Sequence, residues 1–226
     1  MMNRYWELPV AYHVFLALFL LASLLELYFA FREQEGPRKV VKTFCLLFLA
    51  AAVIALVPNE PLLYFGLLLG ALGDFFLIFK KSSRLFVLGT IAFFADHACL
   101  IAEYILLTQR GGPAYLAFTF AFLPLFTLAF MVAGWKLTGS KLMGTFGTVY
   151  FAILALDFLW AVIASAVAGR FFYLAAIGGA FFILSDVILS ITRYKKTVKR
   201  REFYVMLTYL LAQACVGLGV ALSVAL

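Results

Sequence analysis

Runs of about twenty apolar residues recur along this chain from one end to the other, separated only by short polar breaks, and this recurrence restricts the fold more than any other feature. Hydrocarbon leaves no water to satisfy backbone N–H and C=O groups, so runs of this length read as spanning helices rather than barrel strands. Hydrophobic residues make up 66% of the chain and charged residues 13%, which leaves no stretch with the composition of a soluble domain. The expected fold is all-α, a polytopic transmembrane helix bundle forming one transmembrane domain over residues 1–226. The first run is too long for a signal peptide and lacks a small-residue cleavage site, so it reads as a mature helix.

Eight spans are expected, at about 10 to 31, 40 to 57, 62 to 79, 85 to 107, 114 to 134, 142 to 167, 171 to 191 and 203 to 226. Gly36-Pro37, Pro58-Asn59-Glu60-Pro61, Gly111-Gly112-Pro113 and Gly139-Ser140 mark turns between them. Spans two and three are short for a full crossing. Of the 18 Lys and Arg residues, 15 fall in the loops after spans one, three, five and seven, and 3 (Arg4, Arg110 and Arg170) fall on the other side. The basic loops are therefore expected in the cytoplasm and both termini on the non-cytoplasmic side. The net charge of +7 then belongs to topology and not to nucleic-acid binding. Cys45, Cys99 and Cys215 lie inside apolar runs without metal-ligand or redox spacing and read as buried thiols.

A charge inside such a run is costly, so a chain that retains one generally uses it. In Gly66-Leu67-Leu68-Leu69-Gly70-Ala71-Leu72-Gly73-Asp74-Phe75-Phe76-Leu77-Ile78-Phe79 that charge is Asp74, and Lys80-Lys81 ends the run. Gly178-Gly179-Ala180-Phe181-Phe182-Ile183-Leu184-Ser185-Asp186 has the same arrangement, closed by Arg193. At the helical rise Glu26, Asp74 and Asp186 each lie about 9 to 10 Å inside the cytoplasmic end, so acids from three spans share one level. Asp96, His97 and Asp157 lie nearer the midplane, and Glu103 lies toward the far side. Gly66 and Gly178 each precede their Asp by eight residues, at an offset of 112 in a chain of 226. This suggests a parallel four-plus-four internal repeat, with chance similarity of two membrane helices as an equal alternative.

Two carboxylates in a partly dry cavity adopt different protonation states, because desolvation and mutual repulsion keep one neutral while the other ionises. Asp74 and Asp186 are the expected acid and base pair. The packing alternative for each is a bond to a neighbouring Tyr, Ser or Lys. Glu26 either joins this site, reaches the interface near its helix end, or pairs with Lys42. His97 suggests a proton shuttle or a metal ligand, but a zinc site takes three protein ligands and the chain has only His13 and His97. Hydrogen bonding to a carboxylate or to substrate is the simpler role, a metal held by carboxylates is the other, and the expected cofactor complement is none. Asp157, after Tyr150 on span six, either joins the site or pairs across helices. Tyr209 and Gln213 share a face of span eight, where they either line the site or join helices. The many Phe residues read as lipid-facing or core filler. No Gly-rich phosphate loop, Gly-x-Ser-x-Gly elbow or His-Glu-x-x-His motif occurs.

Gly70-Ala71-Leu72-Gly73-Asp74, His97, Tyr150, the Gly179 to Asp186 segment ending in Ser185-Asp186, and Tyr209-Leu210-Leu211-Ala212-Gln213 together resemble the eight-span lysoplasmalogenases of the YhhN-like group. The resemblance covers nearly the whole chain in span number, and the Gly-Asp and Ser-Asp pair is its most specific part. Lys42-Thr43 stands where that group has Lys-Pro, and the Tyr that follows the span-four His there is absent, with Tyr104 further on.

The resemblance implies an intramembrane hydrolase that cleaves the vinyl ether of lysoplasmalogens to a fatty aldehyde and glycerophosphoethanolamine or glycerophosphocholine. Vinyl ethers hydrolyse by protonation of the carbon β to oxygen, followed by capture of the oxocarbenium ion by water, so a neutral acid and a nearby anion are required. On this reading one of Asp74 and Asp186 is the acid and the other stabilises the cation and orients water. Glu26, Lys42, His97, Tyr150, Asp157, Ser185, Tyr209 and Gln213 are the expected substrate contacts. Lys42, Lys80 and Arg193 either hold the substrate phosphate or act as topology signals. The expected partners are a lysophospholipid within the bilayer and the membrane lipids themselves. The competing classes are a proton-coupled transporter or binding protein, and a hydrolase of another lipid bond. Against transport, no span carries an internal Gly-Pro break in both halves, and Pro124 alone kinks span five.

Overall fold

A backbone in hydrocarbon closes its hydrogen bonds within one helix, and the described apolar runs of this chain do so. The structure, a computed structural model, describes residues 8–79, 82–108, 124, 128, 131–132, 135–136, 139, 141–169, 171–194 and 198–226. The described residues include seven long helices: α1 (Val10–Phe31), α2 (Glu35–Leu56), α3 (Pro61–Leu77), α4 (Ser83–Thr108), α5 (Lys141–Ala168), α6 (Phe172–Tyr194) and α7 (Arg201–Ala225). No strand occurs among the described residues. Six of these helices are long and apolar enough to cross a membrane. The exception is α3, whose 17 residues extend about 25 Å, short of a hydrocarbon core of roughly 30 Å. The expected span at about 114 to 134 lies almost wholly outside the described residues, as do Arg4, Lys80, Lys81, Arg110, Arg170, Lys195 and Lys196.

One boundary differs from expectation. Helix α2 begins at Glu35 and not near residue 40, so Gly36-Pro37 lies in its first turn instead of in the loop before it. The first N–H groups of a helix have no intrahelical acceptor, so a proline there gives up no bond. Pro61 opens α3 for the same reason.

Polarity runs from the inside out. Val10, Leu24, Phe65 and Leu106 are among the exposed large hydrophobics, while Glu26, Asp96, His97 and Gln213 are fully buried. Apolar exterior and charged interior together are the arrangement that a lipid solvent selects.

The axis of the bundle is α7, which packs against α1, α2, α3 and α6. Of its most apolar stretch 67% is buried, against 28% to 39% in the other five long helices. Small residues permit this approach: a Cβ on Gly178 of α6 would meet Ala212 O and Val216 Cγ2 of α7 at 2.7 Å. At one end the loop after α1 is tied to the start of α7. The Arg200 N–H donates to Glu33 Oε1 at 3.1 Å, and the Arg200 guanidinium stacks 3.8 Å from the centre of the Phe31 ring.

Candidate active site

A cavity of about 930 Å³ opens among α2 to α7 near the end of the bundle where Arg38, Arg193 and Arg201 lie. This is near the upper limit of ordinary small-molecule sites. Rings of Phe76, Phe79, Phe86 and Phe151 line much of it, and two carboxylates, Asp74 of α3 and Asp186 of α6, reach its wall.

The two acids sit in unlike settings. Asp74 is 1% exposed and both of its oxygens are engaged. Lys42 Nζ of α2 lies 3.0 Å from Oδ1, and the Tyr209 hydroxyl of α7 donates to Oδ2 at 2.8 Å. Asp186 is only partly buried. The Tyr150 hydroxyl of α5 donates to its Oδ2 at 2.8 Å, and no cation pairs with it among the described residues. Ser185, beside it, donates to the Val205 carbonyl at 3.1 Å and so fastens α6 to α7 next to the acid. One acid therefore carries a fixed counter-charge, while the other presents a carboxyl face to the cavity.

Phe182 stands between these groups, four residues and so one turn before Asp186. Its ring meets His97, Tyr209 and Phe93 edge to face, with centroids 4.4, 5.5 and 6.3 Å away. Behind this aromatic wall His97 Nδ1 lies 3.0 Å from Asp157 Oδ2. Further along, Gln213 Nε2 donates to Asp96 Oδ2 at 3.2 Å. Gly70 makes room for that carboxylate, since a Cβ there would lie 2.9 Å from Asp96 Oδ2.

At the mouth Arg38 bridges two acids, with Nε 3.2 Å from Glu26 Oε1 and Nη2 2.8 Å from Glu202 Oε2. Arg193 stacks over the Phe86 ring at 3.8 Å, and Lys136 and Arg201 also border the cavity.

Of the residues singled out from sequence, Asp74, Asp186, Lys42, Tyr150, Ser185 and Tyr209 line the cavity. His97, Asp157 and Gln213 lie behind its wall. Glu26 is buried at the mouth and pairs with Arg38 and not with Lys42, which is taken by Asp74. Lys80, named for the substrate phosphate, lies outside the described residues. Among the described residues no group of three or more His, Cys, Asp or Glu is arranged to hold a metal.

Sequence reasoning passed over Arg38, Lys136 and Arg201, which it counted as topology signals, and Phe93 and Phe182, which it read as filler. A signal was available for two of these. Arg38 is four residues before Lys42, and Phe182 is four before Asp186, so each shares a helix face with a residue already singled out.

Fold and site together define a helical bundle of membrane-spanning type whose interior holds a carboxylate-lined chamber open at a basic end. The model of the YhhN family matches residues 37–220, and the chain belongs to that family. No curated protein and no solved structure gives a significant match to the chain.

Proposed function

We propose that this chain is an integral, multi-pass membrane hydrolase that cleaves the vinyl-ether bond of a lysoplasmalogen held in the cavity. The observation that carries this reading is the pair of carboxylates on one chamber wall, Asp74 ion-paired and closed off, Asp186 half-open to the cavity. Membership of the YhhN family supports it.

In this mechanism Asp186 enters as the neutral acid and gives its proton to the vinyl carbon β to oxygen. The new C–H bond leaves an oxocarbenium ion, and Asp186 becomes a carboxylate. Asp74, anchored by Lys42 and Tyr209, supplies negative charge near that cation. Water adds to the carbon α to oxygen and passes one proton back to Asp186, giving a hemiacetal. The hemiacetal C–O bond then breaks, its hydroxyl proton goes to the departing oxygen, and a fatty aldehyde and a glycerophospho headgroup leave. No net proton is consumed.

Lys136, Arg193 and Arg201 border the mouth, where a phosphate would sit while the alkenyl chain lies among the phenylalanines. The cavity then faces the cytoplasm by the positive-inside rule, and both termini lie on the opposite side. Purified protein given a 1-alkenyl lysophosphoethanolamine should release aldehyde, trapped as a hydrazone. Cleavage of an acyl lysolipid without any action on the alkenyl one would overturn the reading, as would proton-coupled uptake of the lipid without turnover.

A further inference from the structure

The polar groups behind the aromatic wall have no role in the mechanism above, yet they carry six of the eleven buried side-chain atoms that lack a hydrogen-bond partner among the described residues. Asp96 Oδ1, His97 Nε2, Glu103 Oε1, Tyr104 Oη, Asp157 Oδ1 and Gln213 Oε1 are all buried and have no hydrogen-bond partner among the described residues. All six residues are at most 2% exposed. Buried polar atoms in native proteins are satisfied by protein or by bound water, and a polar pocket with several donors and acceptors is where such water is held. Ionisable groups within spanning segments that face the bundle interior mark ion or proton paths.

The set extends from behind the cavity toward the opposite end of the bundle. Tyr209 donates to Asp74, and Gln213, one turn further along α7, donates to Asp96. The imidazole of His97 faces the Tyr150 ring edge-on with centroids 6.4 Å apart, and Tyr150 bonds Asp186. Asp96 lies within electrostatic reach of His97 and Asp157, and Tyr104 within reach of Asp96, Asp157 and Glu103. Glu103 lies within electrostatic reach of Glu60, which is partly exposed just before α3. Glu60 is fourteen residues before Asp74, about 21 Å along that helix. Seven residues separate Asp96 from Glu103, about 10 Å on one face of α4, a distance that a few water molecules cover. Among the described residues Cys99 and Asp74 also lie within electrostatic reach of Asp96.

We propose that Asp96, Glu103, Tyr104, Asp157, His97 and Gln213 hold a file of bound water that conducts protons between the cavity and the Glu60 end of the bundle. The water and the carboxyl groups pass protons in turn, so nothing is oxidised and no co-reactant is needed. Because hydrolysis itself is proton-neutral, the file does not drive it. It sets the protonation of the cavity acids from the far side of the membrane, and this second statement alone rests on the hydrolase reading.

The experiment uses the full chain in sealed vesicles of neutral phosphatidylcholine loaded with a pH-sensitive dye, with valinomycin and potassium to cancel the charge moved. The wild-type protein should relax an imposed pH step several-fold faster than protein-free vesicles. Glu103→Gln and Asp96→Asn should each bring the rate back toward that of protein-free vesicles, while Gly36→Ala should leave it at the wild-type value. X-ray hydroxyl-radical footprinting should oxidise His97 and Tyr104 despite their burial, because bound water supplies the radical. Flux equal to that of protein-free vesicles, or flux indifferent to both acid variants, overturns the proposal, and so does absence of footprinting at those two side chains. Neither readout involves substrate: flux without aldehyde release would defeat the hydrolase reading alone, and aldehyde release without flux would defeat the file alone.

Discussion

Lys42 Nζ lies 3.0 Å from Asp74 Oδ1, a buried ion pair that joins α2 to α3 beside the cavity. Removing one member of such a pair leaves an uncompensated charge and costs about 3–5 kcal/mol, whereas replacing both by apolar residues is often neutral. Lys42→Met alone should therefore lower the thermal midpoint in detergent markedly. Lys42→Met combined with Asp74→Leu should restore most of it while aldehyde release stays abolished. A double variant no more stable than the single ones would show that the pair is not coupled in this way.

Asp186 and Tyr150 separate chemistry from support. Asp186→Asn removes the proton donor, and general acid catalysis contributes about 10²–10⁴-fold, so aldehyde release should fall by that factor. Tyr150→Phe removes only a hydrogen bond to the acid, a contribution of about 1.5–3 kcal/mol, so the loss should be roughly 10- to 100-fold. Both should be read as kcat on protein that remains monodisperse. Full turnover in Asp186→Asn would remove this residue from the reaction.

The basic mouth should act on binding and not on chemistry. Lys136→Gln and Arg193→Gln should each raise KM about tenfold for a substrate with a phosphate headgroup and leave kcat nearly unchanged, since a contact equal in ground and transition states alters only KM. A fall in kcat at constant KM would place these side chains in the chemistry instead.

Gly70 is a packing test. A methyl group there would lie 2.9 Å from both Asp96 Oδ2 and Leu46 Cδ2, so Gly70→Ala must displace a carboxylate or a core leucine. Overpacking of this kind costs roughly 1–3 kcal/mol. Gly36→Ala meets nothing within 4 Å and should be silent. The comparison is read from the two thermal midpoints.

How far the residues themselves foretell this structure depends on the distance over which their signals act. Helix positions follow from local apolarity, so the observed α1 agrees with its expected limits and α4 to α7 agree within a few residues. Asp74 and Asp186 stand out because a lone charge in an apolar run needs no knowledge of neighbours. Cross-helix partners are another matter. Glu26 and Asp74 are both within reach of the α2 cations, and only the rotation of α2 against its neighbours gives Arg38 to the first and Lys42 to the second. The same applies to Phe182, whose place between His97 and Tyr209 depends on how α4, α6 and α7 meet. The start of α2 was missed because Gly36-Pro37 is read locally as a turn, although a helix tolerates both residues in its opening turn.

The bridge made by Arg38 bears on where a shortened version of this protein could begin. The family match starts at residue 37, after α1, yet Glu26 of α1 is one of the two acids that hold this arginine. A fragment cut at that boundary would keep the guanidinium and lose half of its anionic surroundings, as well as the Phe31 and Glu33 latch on Arg200. The leading helix is thus an internal counter-ion for the chamber rim, and any minimal expression fragment has to include it.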